Sequence, residues 1–155
     1  MQKTIHKFYS SFNDLDAEAM ASCYHNEVIF TDPAFGTLKG EHASNMWRML
    51  CASQTKSTFA VEVRNIEVNE DSARAHWEAK YLFSRSGRAV HNKIQAQMKF
   101  KDGLIIEHVD NFNLHAWAKQ ALGWKGFLLG GTSFFKKQLN KQTAAMLNRY
   151  EKKNR

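Results

Sequence analysis

The 155-residue sequence has little proline and cysteine and no long apolar run. With Pro33 as its only proline and with 11 Phe and 4 Trp, the chain has enough apolar material for one folded domain with a sizeable core. The two cysteines, Cys23 and Cys51, lack the paired spacing of zinc ligands, so buried reduced thiols are expected. No segment has the length of a membrane span or the pattern of a signal peptide, which predicts a cytoplasmic protein.

Several motifs with known chemistry are also missing from the sequence. It contains no HExxH, no CxxC pair, no GxSxG and no Walker lysine motif. These absences argue against a zinc protease, an α/β-hydrolase and a P-loop nucleotidase. We therefore predict no metal ion and no organic cofactor.

Acidic residues are almost absent from the C-terminal region. Residues 118–155 carry 9 Lys+Arg against 1 Asp+Glu, whereas residues 1–117 carry 13 against 14. The even balance of the first part argues against nucleic-acid binding by that part. The basic part is predicted to be a C-terminal extension that contacts a membrane surface, an acidic partner or nucleic acid, or that packs on the domain itself.

The spacing of apolar residues predicts an α+β fold. Helical spacing followed by a period of two indicates three N-terminal helices packed on a curved antiparallel sheet, plus a basic amphipathic C-terminal helix. The helices are expected at about residues 4–13, from Asp14 or Asp16 to Tyr24 and His25, at 43–54, at 114–122 and at 133–152. The strands are expected at about 27–31, 58–68, 72–83, 89–101 and 104–113. Four glycines are predicted to interrupt the chain at Gly123, Gly126, Gly130 and Gly131.

One carboxylate, Asp32, ends an apolar strand and opens an Asp-Pro turn beside Phe30 and Phe35. A carboxylate with few water contacts has its charged form disfavoured, so its pKa rises into the range useful for proton transfer. An exposed Asp that simply opens a turn is the other interpretation, because Asp and Pro are both common turn residues. The stretch alone leaves both interpretations open.

Strand alternation separates the polar candidates into two groups. Ala75, Trp77 and their alternate neighbours form the apolar set of the 72–83 strand, so His76 and Glu78 are expected on the solvated face. The same reasoning favours Asn92 inward and His91 outward on the next strand. Asp110 shares its face with Ile106, His108 and Phe112, a mixed set that is consistent with a pocket wall.

The segments NDLDAEAMASCYHNEVIFTDPAFGTLKG and KDGLIIEHVDNF resemble the NTF2-like superfamily, and within it SnoaL-like and ketosteroid-isomerase-like proteins. The resemblance covers about residues 1–117, with residues 118–155 as a separate extension. It implies a cone around a pocket, a homodimer, and Asp32 as the catalytic base. The isomerase's two oxyanion donors fall on Phe8, next to Tyr9, and near Ala96, so this chain does not match the family there.

A looser similarity links the chain to limonene epoxide hydrolase. His76-Trp77-Glu78 and Asp110 stand where that enzyme has an Arg-x-Asp pair and a further Asp. The similarity implies that His76, Glu78 and Asp110 share protons, since an imidazole between carboxylates is a workable base near neutral pH. The alternation described above favours a solvated His76 and Glu78 instead.

These observations predict a pocket protein that binds a small, mostly apolar molecule. Catalysis is expected to be acid-base chemistry of the isomerase, cyclase, dehydratase or epoxide hydrolase type through Asp32 and Asp110. A non-catalytic module for dimerisation or for binding a ligand or partner stays open as the alternative. The residues predicted to line the pocket are Phe8, Phe12, Phe30, Phe35, Trp47, Asn92, Met98 and His108.

Overall fold

Three helices in the first third of the chain pack against a sheet, as the apolar spacing predicts. The computed structural model describes residues 1–154 and places these helices at α1 Gln2–Asn13, α2 Ala17–Ala21 and α3 Glu41–Ala52. Helix α1 buries Ile5, Phe8, Tyr9 and Phe12 because these residues fall on one face. Helix α2 starts at Asp16, whose side chain accepts a hydrogen bond from the Ala19 backbone N–H.

The sheet has six strands: β1 Tyr24–Asp32, β2 Gly36–Lys39, β3 Ala60–Val68, β4 Ser72–Phe83, β5 Arg88–Lys101 and β6 Leu104–Asn111. Their order in the sheet is β2-β1-β6-β5-β4-β3. Only the β1–β6 pair is parallel, and the other pairs are antiparallel. Asp102 and Gly103, both at positive φ, make the tight turn between β5 and β6. A 3-10 turn, Lys56–Thr58, leads into β3.

The sheet has an open edge at the first half of β5. Strand β5 pairs with β4 from Arg88 to Lys99, but it pairs with β6 only from Gln95 onward. Helix α4, Leu114–Leu122, occupies the place that β6 leaves, and the His91 backbone N–H donates to Gln120 Oε1 at 2.7 Å. The first half of β5 is thus flanked by α4 on the side where its second half pairs with β6.

The C-terminal region contains one helix more than predicted. Short α5, Trp124–Leu129, lies within the predicted glycine interruption, and α6 spans Ser133–Lys153. A second difference concerns Tyr24 and His25, which begin β1 and do not close α2. The α+β prediction is confirmed. Within residues 1–154, no helix is both long and apolar enough to cross a bilayer.

Helix α6 packs back onto the N-terminal part of the chain. Its Asn140 and Thr143 side chains donate hydrogen bonds of 2.7 and 2.9 Å to the Ala34 carbonyl, beside the Asp-Pro turn. Near its end, buried Glu151 accepts from Asn45 of α3 at 3.0 Å. These contacts fix α6 against the Asp-Pro turn and against α3. The division into residues 1–117 and an extension stays a prediction.

Candidate functional site

A cavity of about 200 Å³ lies between the inner face of the sheet, α3 and α6. Its lining is mostly aromatic and aliphatic, with a few polar side chains, which is the usual composition of a small-molecule site. Helix α6 contributes one wall through Leu139, Thr143 and Met146. Of the residues predicted to line a pocket, the cavity is bordered by Phe12, Phe30, Phe35, Trp47 and Asn92. The other three, Phe8, Met98 and His108, are buried in the core and do not border it.

Asp32 ends β1 and reaches this cavity through the Asp-Pro turn. Its Oδ1 accepts hydrogen bonds from the backbone N–H groups of Ala34 at 2.9 Å and Phe35 at 2.6 Å. Burial raises the pKa of Asp32 from its ordinary value of 3.8 to about 7, against the opposing effect of these hydrogen bonds. The negative charge of Asp110 raises this pKa further. Asp32 is thus suited to accept and return a proton near neutral pH.

Asp110 lies on the same cavity, near the end of β6, with only 3% of its surface exposed. Its Oδ1 accepts from Trp77 Nε1 at 3.1 Å and meets His108 Nε2 at 3.1 Å. His108 Nδ1 in turn lies 2.8 Å from the Tyr24 hydroxyl, which also accepts from Trp47 Nε1 at 2.8 Å. The described residues offer no partner to Asp110 Oδ2.

This chain of hydrogen bonds has one consistent direction. An indole N–H can only donate, so the Tyr24 oxygen accepts from Trp47, and the Tyr24 hydroxyl can donate its own proton to His108 Nδ1. His108 then carries its proton on Nε2 and donates it to Asp110. Burial also raises the pKa of Tyr24 well above its ordinary value, so the hydroxyl keeps its proton. The buried network therefore orients the Asp110 carboxylate.

Two further polar side chains on the inner face can donate into the cavity. The Tyr81 hydroxyl accepts from Trp117 Nε1 at 2.8 Å, and no described residue accepts its proton. Burial raises the pKa of Tyr81 to about 12, so this hydroxyl is a neutral donor near neutral pH. Asn92, paired with Ala79 across the β4–β5 ladder, makes no side-chain hydrogen bond within the described residues. Both groups are available to an oxygen atom of a bound molecule.

The outer face of the sheet holds a separate polar cluster. Glu78 Oε1 meets His76 Nε2 at 3.1 Å, and Glu78 Oε2 meets His91 Nε2 at 2.5 Å. Gln95 Nε2 donates to His76 Nδ1 at 3.0 Å. The hydrogen bonds from His76 and His91 hold the pKa of Glu78 down at about 2.

The structure brings Asp32 and Asp110 to one cavity and leaves His76 and Glu78 outside it. Among these neighbours on β4 only Trp77 points inward, where it reaches Asp110. Within residues 1–154, no three His, Cys, Asp or Glu side chains gather as ligands for a metal ion. The polar side chains that border the cavity include two carboxylates, the neutral donors Tyr81 and Asn92, and the cationic Arg85.

Reasoning from the sequence missed Tyr24, Tyr81 and the donor roles of the tryptophans. Alternation placed Trp77 and Tyr81 on the inner face only as apolar residues. The polar tips of Tyr and Trp usually find partners when buried, and this rule is the signal that marks them as candidate site residues. Tyr24 was hidden by its assignment to the second helix, because its contact with His108 depends on the β1–β6 pairing.

Comparison with known protein families finds one match along most of the chain. The model of the SnoaL-like domain matches residues 5–108, which include Asp32 and most of the sheet. No curated protein matches the chain.

Solved structures resemble the chain at low sequence identity. TerC, co-crystallised with polyporic acid, has a TM-score of 0.64 at 19% identity, over 77% of this chain and 95% of that chain. A Catenulispora acidiphila protein with a ketosteroid-isomerase-like fold, in complex with trimethylamine, has a TM-score of 0.67 at 12% identity, over 76% and 91%. An LEH-like epoxide hydrolase of M. tuberculosis has a TM-score of 0.62 at 13% identity, over 81% and 90%. These likenesses, with that to an NTF2-like protein of Burkholderia pseudomallei, confirm the predicted NTF2-like fold.

Proposed function

The chain belongs to the SnoaL-like domain family, and we propose that it is a cofactor-free acid-base enzyme that moves a proton on a small, mostly apolar carbonyl compound, as an isomerase or cyclase does. One observation carries the proposal. Asp32, with a pKa of about 7, borders the same apolar cavity as Tyr81 and Asn92, two hydrogen-bond donors that no described residue accepts from.

Asp32 is the general base in this proposal. A base works best when its pKa lies near the working pH, because it then takes a proton readily and also returns it. Its Oδ1 is held by the Ala34 and Phe35 backbone N–H groups. Oδ2 has no hydrogen-bond partner among the described residues and is the atom that takes the proton from carbon. The held oxygen keeps the carboxylate in one orientation.

Tyr81 and Asn92 donate hydrogen bonds to the carbonyl oxygen of the substrate, on which negative charge builds up during proton removal. A fixed hydrogen-bond donor in a dry site lowers the barrier to such an oxyanion by roughly 3–4 kcal/mol. Trp117 donates to the Tyr81 oxygen, so the Tyr81 proton points elsewhere and the hydroxyl becomes a stronger donor. Tyr81 and Asn92 thus take the part of the two oxyanion donors of ketosteroid isomerase, because Phe8 and Ala96, at the corresponding positions, have no side chain that can donate a hydrogen bond.

Asp110 is a positioning and tuning residue. It is held by Trp77 and by the network through His108, so its carboxylate stays in place beside the cavity. Its charge raises the pKa of Asp32, which keeps Asp32 in the proton-transfer range. The Asp110→Asn variant is therefore expected to lower the pKa of Asp32 and to slow proton transfer.

The proposal is tested by deuterium exchange with a set of small apolar ketones and enones. The protein is incubated with each compound in D₂O, and loss of the α-proton is followed by NMR. The wild type is expected to accelerate exchange of at least one compound, and Asp32→Asn is expected to lose this acceleration. Glu78→Gln is the matched control, because that carboxylate lies on the outer face. Ligands that bind the wild type and Asp32→Asn equally, with no exchange, would support the non-catalytic binding module instead.

A further inference from the structure

Five large apolar side chains near the C-terminus are exposed to solvent and form what we call the α5 patch. They are between 52% and 70% exposed. Elsewhere in residues 1–154, no large apolar side chain is more than 44% exposed. The α5 patch consists of Trp124, Phe127, Leu128, Leu129 and Phe134. A concentration of exposed large apolar residues in one short segment usually marks an interaction surface.

The side chains of α5 stay exposed because the helix packs on α4 through a glycine. Its contact with α4 runs through Gly126, where an added Cβ would lie 1.9 Å from the Ala118 carbonyl oxygen. The two helices thus approach backbone to backbone, and the larger side chains of α5 stay outside. His115 Nε2 also donates to the Phe127 carbonyl at 2.7 Å. Four of the five exposed side chains are therefore presented by helix α5 and not by a loose loop, and Phe134 lies at the start of α6.

The sequence on both sides of the patch contains basic residues and no acidic ones. No Asp or Glu occurs in the sequence between Asp110 and Glu151, whereas six Lys and Arg residues do. Lys119 Nζ lies 5.6 Å from the Phe127 ring centre, and Lys125 Nζ lies 5.9 Å from that of Trp124. Neither lysine forms an ion pair within the described part of the chain. Their charges are available to an external anion.

We propose that the α5 patch docks the protein on the surface of an anionic lipid bilayer. The apolar side chains enter the boundary between headgroups and acyl chains, while the lysines meet the lipid phosphates and carboxylates. Tryptophan beside lysine suits this boundary because each has an apolar body and a polar end. Lysine is depleted from protein–protein interfaces, so the interleaved lysines favour lipid over a protein partner. This binding is independent of the cavity and its chemistry.

The test is co-sedimentation with vesicles of phosphatidylcholine, with and without about 30% phosphatidylserine. The full chain is expected to bind the phosphatidylserine vesicles, and high salt is expected to weaken binding by screening the charges. The double variant Phe127→Ser/Leu128→Ser is expected to bind at least about tenfold more weakly, because it removes apolar area. Lys119→Gln/Lys125→Gln is expected to weaken binding to the charged vesicles as well, because these two lysines lie beside the Phe127 and Trp124 rings of the patch.

The matched control is Ile29→Ser/Val68→Ser, which removes two apolar side chains that are 40% and 39% exposed elsewhere on the molecule. It is expected to bind like the wild type, and circular dichroism checks that every variant folds. Absence of wild-type binding, or equal binding by the Phe127→Ser/Leu128→Ser variant, would overturn the proposal. So would a wild-type dimer that this variant converts to a monomer in analytical ultracentrifugation, because the patch would then join two copies of the chain.

Discussion

The two faces of one sheet hold two carboxylates that behave in opposite ways. Asp32, on the cavity side, has a pKa of about 7, whereas Glu78, on the outer face, has one of about 2. Each carboxylate meets two hydrogen-bond donors: backbone N–H groups at Asp32 and histidines at Glu78. The number of donors therefore does not decide the difference. The loss of water around Asp32 is the main cause of its high pKa, and the negative charge of Asp110 adds to it.

The same contrast appears within three consecutive residues of β4. His76 and Glu78 belong to the outer cluster, and Trp77 between them donates to Asp110 beside the cavity. Side chains alternate between the faces of a strand, so a shift of one residue changes the chemistry available to a group. The sheet thus separates a hydrogen-bonded His-Glu cluster on its outer face from the two carboxylates that border the cavity.

The largest expected effect is on catalysis. Asp32→Asn is expected to slow the proposed α-proton exchange by roughly 100- to 10,000-fold, because it removes the base. Glu78→Gln is expected to leave the exchange rate unchanged. Both rates are measured by NMR in D₂O on the same compound. A large loss in Glu78→Gln with a normal rate in Asp32→Asn would reverse the assignment of the two faces.

The next effect is on stability as a function of pH. Asp32 is an acid whose folded pKa, about 7, lies above its ordinary value of 3.8, so the wild type loses stability as the pH rises between these values. The asparagine side chain of the Asp32→Asn variant cannot ionise, and its oxygen can still accept from Ala34 and Phe35. The variant is therefore expected to be more stable than the wild type at pH 8. The upper bound of the difference is about 4 kcal/mol, and the actual difference is smaller because Asp32 borders the cavity and keeps some contact with water. The difference should vanish near pH 4 in urea unfolding curves.

A smaller effect is expected from the buried network. Tyr24→Phe leaves the Trp47 indole N–H and His108 Nδ1 without their partner in the core. An unsatisfied buried polar group typically costs about 1–3 kcal/mol of unfolding free energy. On the outer face, Gln95→Ala removes a bond to His76 that water can replace, so a change below about 0.5 kcal/mol is expected. Equal losses in the two variants, measured by urea unfolding, would contradict the contrast between the faces.

The smallest effect is expected from Glu78→Gln on stability. The folded pKa of Glu78 is lowered from 4.5 to about 2, so its stabilising effect is present above pH 4.5 and is lost as the pH falls towards 2. The variant should be slightly less stable than the wild type at pH 7 and equal to it near pH 2. Urea midpoints at the two pH values provide the comparison, and its sign is opposite to that for Asp32→Asn. A gain of stability at pH 7 would show that the histidines do not hold this carboxylate.

Much of the fold was predictable because local patterns are strong in this chain. The period of two along residues 72–83 assigned both faces of β4, and the apolar stripe of α1 was clear from Ile5 to Phe12. Asp32 was found because an apolar strand runs directly into its turn. Such features depend on neighbouring residues only, which is why the sequence displays them.

The rest of the site depends on contacts between distant parts of the chain. Tyr24 meets His108 only because β1 pairs in parallel with β6, and Thr143 reaches the Asp-Pro turn only because α6 folds back. Neither pairing leaves a local pattern. The short helix α5 was missed for another reason: its glycine suggested a break, whereas Gly126 permits close packing on α4. The homodimer and the cytoplasmic location stay predictions.

The most direct test of the contrast between the faces is a carboxyl-carbon NMR titration of the folded protein. The resonances of Asp32 and Glu78 are assigned with the Asp32→Asn and Glu78→Gln variants. We expect Asp32 to titrate with a midpoint near pH 7 and Glu78 to stay ionised down to about pH 2. Midpoints near the ordinary value of roughly 4 for both carboxylates would contradict the account, because the cavity would then not prepare Asp32 to move a proton.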